Sequence, residues 1–443
     1  MEKENRREFC KYVSQSVLSM LGISCYILAD TFYISNGVGA DGLTALNLAI
    51  PVFSLVNGCG MMLGMGSAAK FAIMKETNGR RDVGILFTST VFAAVVLGVL
   101  FVLLGLFAAE QMAVLVGADE QVYDMVRVYI RVILLFSPAF LMNNILNCYV
   151  RNDGNPSLSM KAMISGSVFN IIFDYIFIFP LHMGIFGAVL ATGTAPVISM
   201  MILSLHFLQK KHHFQLVHTR PDIKAVCQGA ALGIPSLVNE VSSGLVIAVY
   251  NMLILNIKGN IGVAAYGVVA NLSIVVLAVY NGIGQGIQPP LSREFGRGNR
   301  KNIQQIFKYA VITALVFAVL LYGILAGCAE PVTAVFNSAH NMELQEAAVE
   351  GIRIYFTAVP FAGCNIIIAI YFVSTNKPFP AQVISLLRGL ILMIPSACIL
   401  ADAAGIIGVW LAFPVTEAVV CIIAAGLYFF VKKEDFRSGR WVI

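Results

Sequence analysis

The sequence predicts an all-α membrane protein in which twelve transmembrane helices form two pseudo-symmetric six-helix lobes around a central cavity. Three observations carry this. Mean hydropathy is +0.82 with only 12% of residues charged, where a soluble globular domain carries about a quarter. Runs of membrane-spanning length recur along the whole chain. The second half also repeats polar and glycine landmarks of the first.

The apolar runs fall at 12–34, 45–69, 84–108, 124–150, 158–180, 185–208, 225–256, 262–289, 306–328, 346–374, 382–400 and 406–431. An even number of spans puts both termini on one side. Basic residues choose the side: 25 of the 29 Lys and Arg lie in the N-terminus, the alternate connections and the tail, leaving Arg127, Arg131, Lys258 and Arg353 near the other face. By the positive-inside rule the rich face is cytoplasmic, in a multi-pass protein of the cell membrane. The opening MEKENRREFCKY mixes acids with bases and leads into a long run without a small-residue cleavage site; it reads as a retained first helix.

Internal duplication organises these spans. Arg131, Pro138, Asn143, Tyr149 and Pro156 recur 222 residues later as Arg353, Pro360, Asn365, Tyr371 and Pro378. Asn47, Asn57, Gly58 and Gly60 recur as Asn271, Asn281, Gly282 and Gly284, and Gly184, Gly187, Leu190 and Ala191 as Gly405, Gly408, Leu411 and Ala412. With six spans per copy the repeats are parallel, an arrangement characteristic of transporters. The expected organisation is an N-terminal lobe over 1–208, a cytoplasmic linker over 209–224 and a C-terminal lobe over 225–443. The linker QKKHHFQLVHTRPDIK is polar and basic, and Pro221 breaks any helix through it.

Chemistry is sought where the copies differ. Asp30 stands inside the first run and Asp174 inside the fifth, and neither has an acid at its counterpart position. A carboxylate within a membrane helix costs roughly 2.5–3.5 kcal/mol on insertion scales, so it faces a cavity, a partner or an ion. Tyr26 lies four residues before Asp30, and Asn170 four before Asp174, each pair on one helical face. At 1.5 Å per residue Asp30, Asp174 and Thr192 fall roughly 6–11 Å from the extracellular ends of their spans and can meet at one depth. Such a cluster can share a proton between carboxyls, or offer hard oxygens to Na⁺. A purely structural hydrogen-bonded network is the alternative. Asn143 and Asn147, beyond the Pro138 kink, lie deeper and are candidate cavity residues, as is Glu240. Glu240 and Glu417 each fit either an anchor for a cation or a partner for an arginine.

Other features exclude functions. The charge placement explains the net +5 as topology, leaving no indication of nucleic-acid binding. The nine cysteines show no CxxC and read as buried hydrophobes. His182, His206, His212, His213, His218 and His340 sit at span ends or in loops, with no HExxH, so no enzyme and no cofactor beyond a coupling H⁺ or Na⁺ is expected. Gly58, Gly60, Gly64 and Gly66, with Gly282, Gly284 and Gly286, read as close-packing surfaces.

Nearly the whole chain resembles the multidrug and toxic compound extrusion (MATE) family, through ADTFYISNGVGADGLTALNLAIP, RNDGNP and, most specifically, FNIIFDYIFIFPLHMGIFGAVLAT. The resemblance, to the DinF-like or archaeal-type branch, implies an ion or proton site of Asp30, Asn170, Asp174, Thr192 and Tyr26, with Asn147 as its fourth-span member. It departs from the family in two places. Ser243 stands where a second branch carries a span-seven Glu, and Gln15 stands where some relatives have a helix-bending proline. The implied function is antiport: export of amphipathic, often cationic organic compounds in exchange for H⁺ or Na⁺, by a protein expected to be monomeric in the lipid bilayer. A lipid-linked precursor flippase of the wider superfamily is the alternative; a cationic central groove, commoner there, is not evident in the sequence.

Overall fold

The computed structural model describes residues 2–208, 212–337 and 341–438. Residues 209–211 of the expected linker, His340 and Arg440 lie outside these. The described residues are helical apart from short connections and the segment 212–222, with no strand among them. Helices α1 (Glu2–Gly37), α2 (Ala40–Thr77), α3 (Arg80–Phe107), α5 (Pro156–Ile178) and α6 (Gly184–Leu208) are single spans. The fourth span, α4, is bent by 48° between Tyr123–Leu135 and Ser137–Asn152. Pro138 at the start of the second segment produces the expected kink, since it offers no N–H to the preceding turn.

In the second half, α7 (223–258) and α8 (260–296) run into one another across Gly259, whose φ of 63° breaks the helix. α9 (Arg300–Gly327) and α10 (Met342–Ser374) follow. α11 (378–403) and α12 (406–438) meet at Gly405, φ 59°. That turn repeats Gly184, φ 57°, which opens α6. The duplicated glycines therefore mark a shared left-handed corner, a conformation costly for any residue with a Cβ. At the Lys/Arg-rich end, here the basic end, Asn155 accepts from the Leu158 N–H (3.2 Å), and Asp222 from the Ala225 N–H (3.0 Å), starting α5 and α7.

Among the described residues nine stretches are long and apolar enough to cross a membrane, and the bent α4 makes ten. Two of these hold a kinked pair, so the membrane-spanning helices among the described residues number twelve. α3 turns Val95, Val96, Val99 and Leu100 outward, about half exposed, as a lipid-facing surface requires. Buried apolar residues form two clusters: one draws on residues between Ile34 and Ala225, the other on residues between Leu232 and Ala424 with Phe9, Val13 and Ala69. These are the cores of two lobes.

The lobes are sealed together at the basic end. A Cβ on Gly66 would lie 1.9 Å from the Gly229 carbonyl oxygen, and one on Gly233 1.9 Å from that of Met62. Gly282 and Gly286 admit the α1 backbone at Val17 and Val13 in the same way. The glycine-rich segments are close-packing surfaces, as their sequence indicated. Around this contact Arg293 makes a two-pronged pair with Glu8 (2.6 and 2.7 Å), Arg297 pairs with Glu76 (2.9 Å), and Gln288 donates to the Met65 carbonyl (2.8 Å).

The segment after residue 211 is docked on the N-terminal lobe. Phe214 is fully buried among the rings of Phe71, Phe87, Tyr149 and His206. Asp153 fastens it, accepting from Lys75 Nζ (2.7 Å) and the His213 N–H (2.9 Å) and contacting the rings of His206 and His213. Burial alone would raise the Asp153 pKa, but the bonds from His206 and Lys75 outweigh it and hold the carboxyl below its usual value.

Candidate ion and substrate site

Two adjoining features occupy the middle of the molecule: a polar cluster inside the N-terminal lobe and a cavity between the lobes. Asp30 (7% exposed) and Asp174 (0%) come from α1 and α5, and their carboxyls lie within hydrogen-bonding reach of each other. Asn170, one turn below Asp174, is fully buried. Its amide is satisfied when it donates to Asp174 Oδ2 (3.1 Å) and accepts from the Thr192 N–H (3.2 Å). Tyr129 of α4 lies beside Thr192 of α6. The four residues placed together from sequence do meet, and Tyr26 stands beside them, within electrostatic reach of Asp30, Glu240 and Asp174.

Electrostatically this cluster is unbalanced. Among the described residues neither Asp30 nor Asp174 pairs with Lys or Arg, and Oδ1 of each is buried without a partner. Two bare carboxylates this close in a dry site repel by several kcal/mol, so the arrangement calls for a shared proton or a bound cation. The donors are all oxygens, which suits either. No group of three His, Cys, Asp or Glu side chains that could hold a transition metal occurs among the described residues.

The cavity measures about 420 Å³, within the range of drug-sized pockets. Tyr26 and Thr192 reach its wall, linking it to the cluster, and Asn143, Asn147 and Glu240 line it as expected. Glu240 accepts from Asn57 (3.1 Å), whose amide oxygen accepts from Asn144 (2.9 Å), so one polar chain crosses between the lobes. Gly60 allows that contact, because a Cβ there would meet Asn144 Nδ2 at 2.8 Å. Met20, Met61, Met65 and Met163 add a soft, adaptable surface.

Sequence reasoning missed two arginines here. Arg151 and Arg388, counted with the basic-end topology charges, line the cavity, so its wall is more cationic than the sequence suggested. Arg388 sits in a π-helical turn (Leu387–Ile391) of α11 and pairs with Glu417 of α12 at 2.8 Å, while Asn365 donates to the same carboxylate at 2.7 Å. Of the two readings for Glu417, the arginine partner is the one observed. The available signal was position, since Arg388 falls inside an apolar run and not at its end. Tyr129 left no such trace, because a phenol in a membrane helix is ordinary.

Twelve helices in two lobes around a polar-walled cavity, with buried unpaired carboxyls beside it, define a multi-pass membrane transporter. The MatE family model matches residues 16–176 and 235–399, and the chain belongs to that family of multidrug efflux transporters. It is 23% identical over 436 residues to the multidrug export protein MepA of Staphylococcus saprophyticus, covering 96% of this chain and 92% of that protein. Among solved structures it resembles a MATE crystallised in complex with MaL6 (TM-score 0.91, 20% identity, 98% of this chain and 97% of that one). It also resembles an outward-facing multidrug resistance MATE family transporter of the MOP superfamily (TM-score 0.89, 20% identity, 98% and 97%).

Proposed function

We propose that the protein is a monomeric, cation-coupled antiporter that exports amphipathic, often cationic organic compounds across the cell membrane by alternating access, with Asp30, Asp174, Asn170, Thr192 and Tyr26 as its H⁺ or Na⁺ site. The unpaired Asp30–Asp174 couple directly behind the cavity wall carries this reading. The positive-inside rule makes the basic end cytoplasmic, so the sealed state faces outward. An ion arriving from outside neutralises the couple and favours the state that releases substrate; its loss inside resets the cycle. Thr192 and Tyr26, shared by cluster and cavity, pass occupancy of one to the other, and Glu240 with Asn143 and Asn147 supplies polar contacts for a positively charged substrate.

The test is efflux of a fluorescent organic cation from proteoliposomes, comparing wild type with Asp30→Asn and Asp174→Asn under separate pH and Na⁺ gradients. Transport driven by one gradient and lost in both variants is the expected result, and the effective gradient names the ion. Wild-type rates in both folded variants would refute the assignment, and transport by neither gradient would favour a lipid flippase.

A further inference from the structure

Of the two arginines in the cavity wall, one has no counter-charge. Arg151 is 2% exposed. Its Nη1 donates to Gln285 Oε1 at 2.6 Å, its Nη2 meets only the sulfurs of Met65 (3.5 Å) and Cys148 (3.7 Å), and its Nε has no partner. No carboxylate pairs with it among the described residues. An isolated ion withdrawn from water costs far more than one amide, one thioether and one thiol contact return. Arg388, a few helices away, shows the usual solution, a buried carboxylate.

The geometry points to Arg151 as a binding subsite for an anionic group, a carboxylate or phosphate, carried by an amphipathic ligand in the cavity. A guanidinium binds such groups through paired N–H donors; Arg151 lines the cavity, and its buried Nε donates to nothing among the described residues. Glu240 marks the other pole. It is tied through Asn57 to Asn144, and seven residues of helix separate Asn144 from Arg151, about 10 Å. The cavity thereby takes zwitterionic compounds of small-drug length lengthwise, cationic end at Glu240 and anionic end at Arg151. This rests on the exporter reading and narrows its substrate class.

The experiment uses two probes that differ in one group: rhodamine B, with a free carboxylate, and its ethyl ester. Binding to the purified full-length protein is read by fluorescence polarisation, which needs no gradient. Arg151→Gln is expected to weaken rhodamine B binding about tenfold, the loss of one charge-assisted contact, and to change ester binding less than twofold. Arg151→Lys should recover part of the rhodamine B affinity, with a monodisperse elution profile reporting the fold of both variants. Competition by phosphatidylglycerol micelles in wild type but not in Arg151→Gln would support the subsite with a lipid headgroup as the source of the anion; competition by a soluble alkyl carboxylate alone would support it with a dissolved compound. Equal weakening of both dyes, or of neither, would overturn the subsite, as would wild-type binding of the ester but not of rhodamine B. Gradient-driven transport of the ester is read separately, and its absence would sink the exporter reading alone.

Discussion

The two lobes share one scaffold and treat the acids fully buried inside their membrane spans in opposite ways. In the C-terminal lobe Glu417 is matched by Arg388 and Asn365. In the N-terminal lobe Asp30 and Asp174 have only each other, an amide and a phenol nearby. A carboxylate with a fixed guanidinium beside it has no vacancy for a cation. A pair without one leaves room for a proton or cation, so under the proposed function exchangeable charge sits in one lobe and a permanent strut in the other.

That contrast can be broken or sharpened by mutation. The largest effect is expected from Asp174→Asn or Asp30→Asn, which should reduce gradient-driven efflux on the order of 100-fold or more with thermal stability retained, because an amide fills the site without exchangeable charge. Arg388→Ala should instead act on stability, by about 3–5 kcal/mol, since it strands Glu417; a double Arg388→Met, Glu417→Leu variant should recover much of the loss in a thermal melt. Glu240→Gln should raise KM for organic cations several-fold and leave the coupling ion unchanged, as expected for lost ground-state binding.

The smallest effect concerns the docked linker. Because Asp153 is held below its usual value by Lys75 and His206, its contribution is complete above the unfolded-state value of 3.8 and is lost only as pH falls through the lower folded value. Protection factors for the amides of 212–222, exchange rates corrected for their intrinsic pH dependence, should therefore be flat from neutral pH down to about 4, and Asp153→Asn should lower them at every pH in that range.

Much of this was legible in the chain. Apolar runs and the repeat yield twelve spans and two lobes because lipid imposes length and internal bonding on every segment. Asp30, Asp174, Asn170 and Thr192 stood out because polar groups in such runs are expensive. Arg388 was misread because counting charges by sign ignores depth, and only the partner on α12 reveals its role. Phe214 was hidden in a polar string: one ring is enough to dock a linker when a complementary aromatic pocket awaits, and no local pattern shows that pocket.

The glycine seal has a mechanical consequence. Where Gly66 meets the Gly229 carbonyl and Gly233 that of Met62, backbone rests on backbone, so at these two points no side chain stands between the lobes. The bonds to be broken and re-formed in the proposed cycle are then the polar pairs around them, Arg293–Glu8 and Arg297–Glu76. Such a joint also makes the position a lever on populations: a single methyl group at residue 66 is expected to wedge the joint ajar, tilting the balance between the two states of the proposed cycle while leaving the proposed ion and substrate residues chemically intact.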